Sequence, residues 1–235
     1  MTGRTEQLAA NLARVRARIA AGATAAGRDP AGVTLVAVTK TYPASDVVRL
    51  AGLGVADIGE NRDQEAAGKA AEVERLGAAA VRWHFVGRLQ RNKCRSVVRY
   101  AELVHSVDSP RLAAALGAAA AAHRDRPLAV LLQVSVDADP TRGGVVPDQL
   151  PRLVEAIDAE PALRLAGVMA VAPPDWPPAA AFGRLAELAE QVRSEHPSAT
   201  IVSAGMSADL EAALACGATH VRIGSDLLGK RAPLG

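Results

Sequence analysis

The chain has 235 residues, 49% of them apolar but only 3% aromatic, so it can bury one sizeable core made mostly of Ala, Val and Leu. Its 27 basic and 25 acidic residues leave a net charge of +2, a balance that excludes long-range steering onto nucleic acid or an anionic membrane. Cys94 and Cys216 stand far apart with no CxxC spacing, which speaks against a disulfide framework or a zinc site and for a reducing cytosol.

The opening Met1-Thr2-Gly3-Arg4 leads into no apolar h-region, and no stretch reaches the ~20 apolar residues of a membrane span, so a cytoplasmic protein is expected. Leu8, Leu12, Val15 and Ile19 then fall at helical spacing, with Arg14, Arg16 and Arg18 mostly off that stripe. An amphipathic helix is predicted from about Glu6 to Ala26, stopped by Gly27-Arg28-Asp29-Pro30. Eight short apolar runs follow: Thr34–Thr39, Asp57–Gly59, Trp83–Val86, Leu103–Val107, Val130–Val136, Gly167–Val171, Ile201–Ser203 and His220–Ile223. Helical material separates them, for example Ala44–Ala51, Asn61–Leu76, Arg111–His123 and Pro147–Ala159. Strict alternation of continuous apolar strands with helices predicts a parallel sheet. Eight units in about 200 residues predict a closed (β/α)8 TIM barrel with an extra N-terminal helix, one domain over residues 1–235; an open doubly wound sheet is the alternative. After the sixth run, Ala172-Pro173-Pro174-Asp175-Trp176-Pro177-Pro178 reads as a stiff loop beside the barrel mouth, closed to helix by its prolines.

In such a barrel the working face lies where strands end. The first run ends on Lys40, which places the side-chain stem in the barrel and the amine near its top. Desolvation lowers an amine's pKa from roughly 10.4, and a neutral amine attacks an aldehyde; the alternative is an ammonium that simply escapes to solvent. The second run ends Gly59-Glu60-Asn61. Asn61 offers a donor and an acceptor to a ligand, or caps the following helix, and Glu60 can pair with Lys40. The third leads through His84, a candidate polar barrel residue, into Arg88, Arg91, Arg95 and Arg99 at helical spacing. This basic face is solvated or docks a partner; without interleaved aromatics it does not suit single-stranded nucleic acid. Five histidines without HxH or HExxH spacing argue against a metal. The last two runs open into Gly205-Met206-Ser207 and Gly224-Ser225, where glycines admit a phosphate to backbone N–H groups, serines add hydroxyls, and helices follow. The alternative is a pair of ordinary turns with serine caps. Arg222 sits between Val221 and Ile223 and faces away from both. If it faces the lumen it needs an acceptor, and an unprotonated pyridine nitrogen is one. A ring kept neutral is a weak electron sink, which argues against decarboxylase and transaminase chemistry.

Taken together, Leu35-Val36-Ala37-Val38-Thr39-Lys40-Thr41 with Pro43, Ile58-Gly59-Glu60-Asn61, His84-Phe85-Val86-Gly87, Leu89-Gln90, Asn92-Lys93, Gly167-Val168-Met169-Ala170, Gly205-Met206-Ser207 with Asp209, and Val221-Arg222-Ile223-Gly224 run in order across nearly the whole chain. In this the chain resembles the pyridoxal phosphate homeostasis protein family, barrels similar to the N-terminal domain of alanine racemase. The resemblance implies a fold-type III barrel binding pyridoxal 5'-phosphate (PLP) as a Schiff base on Lys40, with phosphate contacts from the last two loops and Arg222 at the pyridine nitrogen. The expected contact set is Lys40, Asn61, His84, Met169, Ser203, Gly205, Met206, Ser207, Arg222, Gly224 and Ser225. The resemblance further implies a carrier or regulator of cellular PLP without turnover, a monomer or weak homodimer whose partners are PLP and apo PLP-dependent enzymes. Where the family tends to carry Lys-x-Gly after the fifth strand, this chain has Thr141-Arg142-Gly143-Gly144, and Arg is not a neutral exchange for Lys.

The competing reading is an enzyme, either a PLP-dependent amino-acid racemase or a Schiff-base aldolase acting on a phosphorylated sugar. Barrel racemases complete their sites with a second base from an extra β-domain, and only Lys230 to Gly235 follow Gly229 here. Tyr42 and Tyr100 are the two tyrosines. Tyr42, two residues after Lys40, either faces the same side on an extended segment or packs at the barrel rim, and the rim is the expected place.

Overall fold

A computed structural model describes residues 2–78, 80–139 and 141–229; the Lys230–Gly235 tail weighed above lies outside them. The first helix, α1 (Thr2–Ala25), turns Leu8, Leu12, Val15, Ile19 and Ala23 inward. Eight parallel strands then close into a barrel: β1 (Thr34–Val38), β2 (Asp57–Glu60), β3 (Arg82–Phe85), β4 (Ala101–Val107), β5 (Leu128–Gln133), β6 (Leu163–Met169), β7 (Ile201–Ser203) and β8 (His220–Ile223). Closure is made by β1 on β8, with Thr34 opposite His220 and Ala37 opposite Ile223. The open sheet is thereby excluded.

The helices between strands are α2 (Ala44–Gly52), α3 (Asp63–Arg75), α4 (Cys94–Tyr100), α5 (Pro110–His123), α6 (Leu150–Asp158), α7 (Pro178–Glu195), α8 (Leu210–Ala215) and α9 (Ser225–Leu228). Helix α1 packs on α8 and α9. Its Arg18 joins both, reaching Glu211 at 2.8 Å and Asp226 at 2.6 Å, and the Asn11 amide donates to the Leu227 carbonyl.

Two strands are displaced from their predicted ranges. Strand β5 leaves the sheet at Gln133, because Val134 and Val136 are buried in the following loop, where Val134 bridges Val145. Strand β6 starts four residues early, since exposed Arg164 between buried Leu163 and Leu165 breaks the continuous apolar run. The segment predicted as one helix from Pro147 begins as a 3-10 turn, Pro147–Gln149, before α6. Pro178 opens α7 rather than barring helix, because a first-turn residue needs no N–H.

Apolar burial falls into two compartments. Most of it lies between barrel and helices; a smaller cluster of Leu103, Ala129, Leu131, Ala166 and Met169 fills one side of the lumen. Burying a side chain such as Leu131 is worth about 1.5–3 kcal/mol. The rest of the lumen is polar, holding His84, His105, Ser203 and Arg222, all buried. Among the described residues no helix is long and apolar enough to cross a membrane, and no group of three or more metal-ligating side chains gathers.

Candidate functional site

A cavity of about 720 Å³ opens where the strands end, lined by Val38, Lys40 and Tyr42 from the β1 side, Asn61 after β2, Met206 and Ser207 after β7, and Arg222, Gly224 and Ser225 from β8. That size suits a small ligand or cofactor. Gly87 lets the loop after β3 press on the backbone of Asn61 at the rim, since any Cβ there would collide with it.

The backbone on both sides of Lys40 is clamped by α3. The Lys69 amine donates to the Thr39 carbonyl at 2.8 Å, to Glu60 Oε1 at 2.6 Å and to Glu65 Oε1 at 2.9 Å. The Thr39 hydroxyl donates to the same Glu60 oxygen, and the Thr41 N–H donates to Glu65. Thr41 sits at φ 70°, rare for a β-branched residue. Such strain costs on the order of 1–3 kcal/mol and survives only where neighbours impose it. Glu60 therefore pairs with Lys69, not with Lys40 as the sequence suggested. Burial pushes the Glu60 carboxyl above its ordinary range, against the bonds from Lys69 and Thr39.

Arg222 faces the lumen and lines the cavity floor, held by Ser203 Oγ (2.7 Å) and the Ala170 carbonyl (3.0 Å). Burial pulls its guanidinium down to about 10, so it remains charged at neutral pH. Behind it, Ser203 Oγ meets His105 Nδ1 at 2.9 Å, His105 Nε2 meets His84 Nδ1 at 2.9 Å, and His84 Nε2 meets Asp57 Oδ1 at 3.0 Å. Burial keeps His105 neutral, well below the usual imidazole range. Burial opposes charge on Asp57 too, but bonds from His84 and Arg82 outweigh it and hold the carboxyl at about 2.

The two glycine loops behave less simply than the sequence suggested. Gly205 takes φ 88°, open to glycine alone at no cost, yet the Met206 N–H already donates to Asp209 Oδ1 at 2.6 Å. What faces the cavity is Ser207 and Ser225, their hydroxyls 3.4 Å apart. No acceptor among the described residues takes the Ser207 or Ala208 N–H. Helices α8 and α9 are too short for their dipoles to carry the site.

Of the expected contacts, Lys40, Asn61, Met206, Ser207, Arg222, Gly224 and Ser225 line the cavity. His84, Met169, Ser203 and Gly205 do not. Met169 belongs to the apolar lumen cluster, Gly205 accepts from the Arg222 N–H, and Ser203 and His84 stand behind Arg222. Strand parity puts all four near the site, but depth inside the barrel is invisible in a sequence. Asn61 does not cap α3: Arg62 holds that position, and Asn61 Oδ1 is buried with no partner among the described residues. Val38, Gly87 and Val171 were not anticipated; their only signal was their place next to strand ends. Tyr42 lines the cavity, but its hydroxyl donates to the Gly229 carbonyl at 2.7 Å. Tyr100 turns to Asp63 and burial pushes its phenol above the ordinary range. Arg142 is tied to Asp137 at 3.3 Å. The expected basic face is broken: Arg88 and Arg91 precede α4 and line a separate cleft, while Arg95 donates to His123.

The residues present fit pyridoxal phosphate. An amine, a side-chain amide whose oxygen has no partner among the described residues, a charged guanidinium and paired hydroxyls surround one space of suitable size. Comparison with known proteins points the same way. The family model described as "Alanine racemase, N-terminal domain" matches residues 5–232. A pyridoxal phosphate homeostasis protein of Mycobacterium bovis is 46% identical, over 97% of this chain and 94% of its own length. The protein of that name from Escherichia coli strain K12 is 37% identical over 95% and 97%. Among solved structures, PipY of Synechococcus elongatus with PLP bound superposes with a TM-score of 0.81 at 32% identity, covering 94% of this chain and all of that one (100%). Alanine racemase from Corynebacterium glutamicum, at 16% identity and a TM-score of 0.70 over 98% of this chain and 63% of its own, shares the fold alone. The chain belongs to the alanine racemase N-terminal-domain family and, within it, to the pyridoxal phosphate homeostasis proteins.

Proposed function

We propose that this chain binds pyridoxal phosphate covalently through Lys40 and carries it without turning over a substrate. The observation that carries the reading is the pairing of Lys40 with Arg222 across one cavity. When bound, the cofactor supplies an aldehyde for the amine and a pyridine ring able to delocalise charge. The chain's own groups do the rest. The α3 clamp presents Lys40, the Asn61 side-chain amide would face the phenolic side of the ring with its donor and acceptor, and Ser207 and Ser225 would offer hydroxyls to the phosphate. Arg222, still charged at neutral pH, would donate to the ring nitrogen and keep it unprotonated.

The same geometry favours a carrier over a racemase. A racemase needs a second base opposite the lysine, and the hydroxyls of Tyr42 and Tyr100 are both engaged. In this reading the protein works in the cytoplasm, as a monomer or weak homodimer, and hands the cofactor to apo-enzymes. The test combines borohydride reduction of PLP-loaded protein with peptide mass mapping. The label is expected on Lys40 and absent in Lys40→Ala, with the circular dichroism of the fold unchanged. A label elsewhere, or none, overturns the assignment. Isotope exchange at the α-carbon of alanine or serine would overturn the non-catalytic part.

A further inference from the structure

Asp57, His84, His105, Ser203 and Arg222 form one unbroken hydrogen-bonded file from the entry end of the barrel to the cavity floor, every link between 2.7 and 3.0 Å. Each member is buried, so each imidazole and hydroxyl hydrogen in the file must find an acceptor within it. The directions follow from the two ends. Asp57 is ionised and can only accept, so His84 carries its hydrogen on Nε2. A neutral His84 then presents a bare Nδ1, which must receive Nε2–H of His105. His105 is left with a bare Nδ1, and that atom takes the Ser203 hydroxyl hydrogen. Ser203 keeps its lone pairs for the Arg222 N–H. The Asp57 end requires only a hydrogen on Nε2; the Ser203 end selects the uncharged form. A charged His84 would force His105 to donate at Nδ1 and strand the Ser203 hydrogen, which has no other partner among the described residues. Arg82 on Asp57, the His220 ring 6.2 Å from that of His84, and the Asp209 carboxylate whose charge acts on Arg222 are the other titratable groups beside the file.

We infer that His105 and Ser203 are positioning residues which, anchored through His84 on Asp57, hold Arg222 in a single orientation as donor to the ring nitrogen of the cofactor. Two Arg222 N–H groups are occupied by Ser203 and Ala170, which leaves the others of its five for the cavity. The apolar half of the lumen cannot substitute, because Leu103 and Leu131 have no acceptor in their side chains and the Met169 thioether is only a weak one. The electronic state of the bound cofactor is thus set from the entry end of the barrel, by residues that never touch it. This part rests on the function proposed above; the direction of the file does not.

Two measurements test it separately. In unloaded protein near neutral pH, ring nitrogen-15 shifts should report His84 and His105 as neutral with hydrogen on Nε2. A charged His84, or hydrogen on Nδ1 of His105, overturns the inference whatever the protein binds. In PLP-loaded protein, Ser203→Ala and His105→Leu should shift the visible absorption maximum and weaken cofactor retention about tenfold, the loss of one charge-assisted hydrogen bond. Ser203→Thr should restore both, while Leu131→Val, which trims the apolar side of the lumen, should leave the maximum in place. An unmoved maximum in Ser203→Ala, or the same shift in Leu131→Val, overturns the positioning role. Should Ser203→Ala fail to fold, the nitrogen shifts and Ser203→Thr still decide. If wild-type protein traps no label on Lys40, the functional proposal fails and the file's direction stands on the nitrogen shifts alone.

Discussion

Substituting Lys69 by Met tests how firmly the Lys40 segment is held. Glu60 is 0% exposed, and Lys69 is its charged partner at 2.6 Å; its second oxygen, Oε2, has no partner among the described residues. Removing the amine leaves a buried carboxylate with only the Thr39 hydroxyl, a loss of about 3–5 kcal/mol. For a chain of this size each kcal/mol moves Tm by about 2–4 °C, so the variant should melt roughly 6–20 °C lower. Burial raises the folded-state pKa of Glu60 above its unfolded value of roughly 4.3, and removing Lys69 raises it further. A carboxyl shifted in that sense favours the folded state at low pH and loses that advantage as pH climbs through the folded value. Urea unfolding should therefore show a larger deficit at pH 8 than at pH 5, and Lys69→Met with Glu60→Gln should recover much of it. A loss below about 1 kcal/mol, or a deficit independent of pH, would refute the reasoning.

Asp57 has the opposite sign: its folded carboxyl is held at about 2, so it stabilises the protein above the unfolded value and that stability is lost as pH falls from about 4 toward 2. The shift corresponds to about 2 kcal/mol, and Asp57→Asn should flatten acid unfolding in that window; an unchanged acid limb would contradict it. Gly205→Ala places a Cβ at φ 88° and 2.6 Å from the Ala213 Cβ, and should cost about 1–3 kcal/mol in thermal unfolding while weakening PLP binding. Alkylation at pH 8 should modify half-buried Cys216 well before Cys94, whose thiol is buried and pushed up to about 11; equal rates would mean that α4 opens readily.

The barrel was legible in the sequence because eight apolar runs alternate with helical segments, and a parallel sheet covered on both faces has no other pattern to show. The sequence left Arg222 open between lumen and exterior and Lys40 open between the barrel mouth and solvent; the structure turns Arg222 into the lumen and sets both on one cavity. Periodicity blurs where strands carry an exposed charge at their entry, as Arg164 does in β6, and where a buried loop continues a strand's composition, as Val134 and Val136 do after β5. The candidate site was legible as to which strand ends contribute, but not as to depth: His84 and Ser203 carry the right parity yet stand behind Arg222 rather than in the cavity.

Alternation and strand-end position are local properties, and from them the sequence determined the fold class and which strand ends line the candidate cavity, those of Lys40 and Arg222 among them. The partner of Glu60, the engagement of the Tyr42 hydroxyl and the file from Asp57 to Arg222 join residues between 9 and 187 positions apart. Only closure of the barrel decides them, because a buried polar group takes whichever partner the packing brings within about 3 Å.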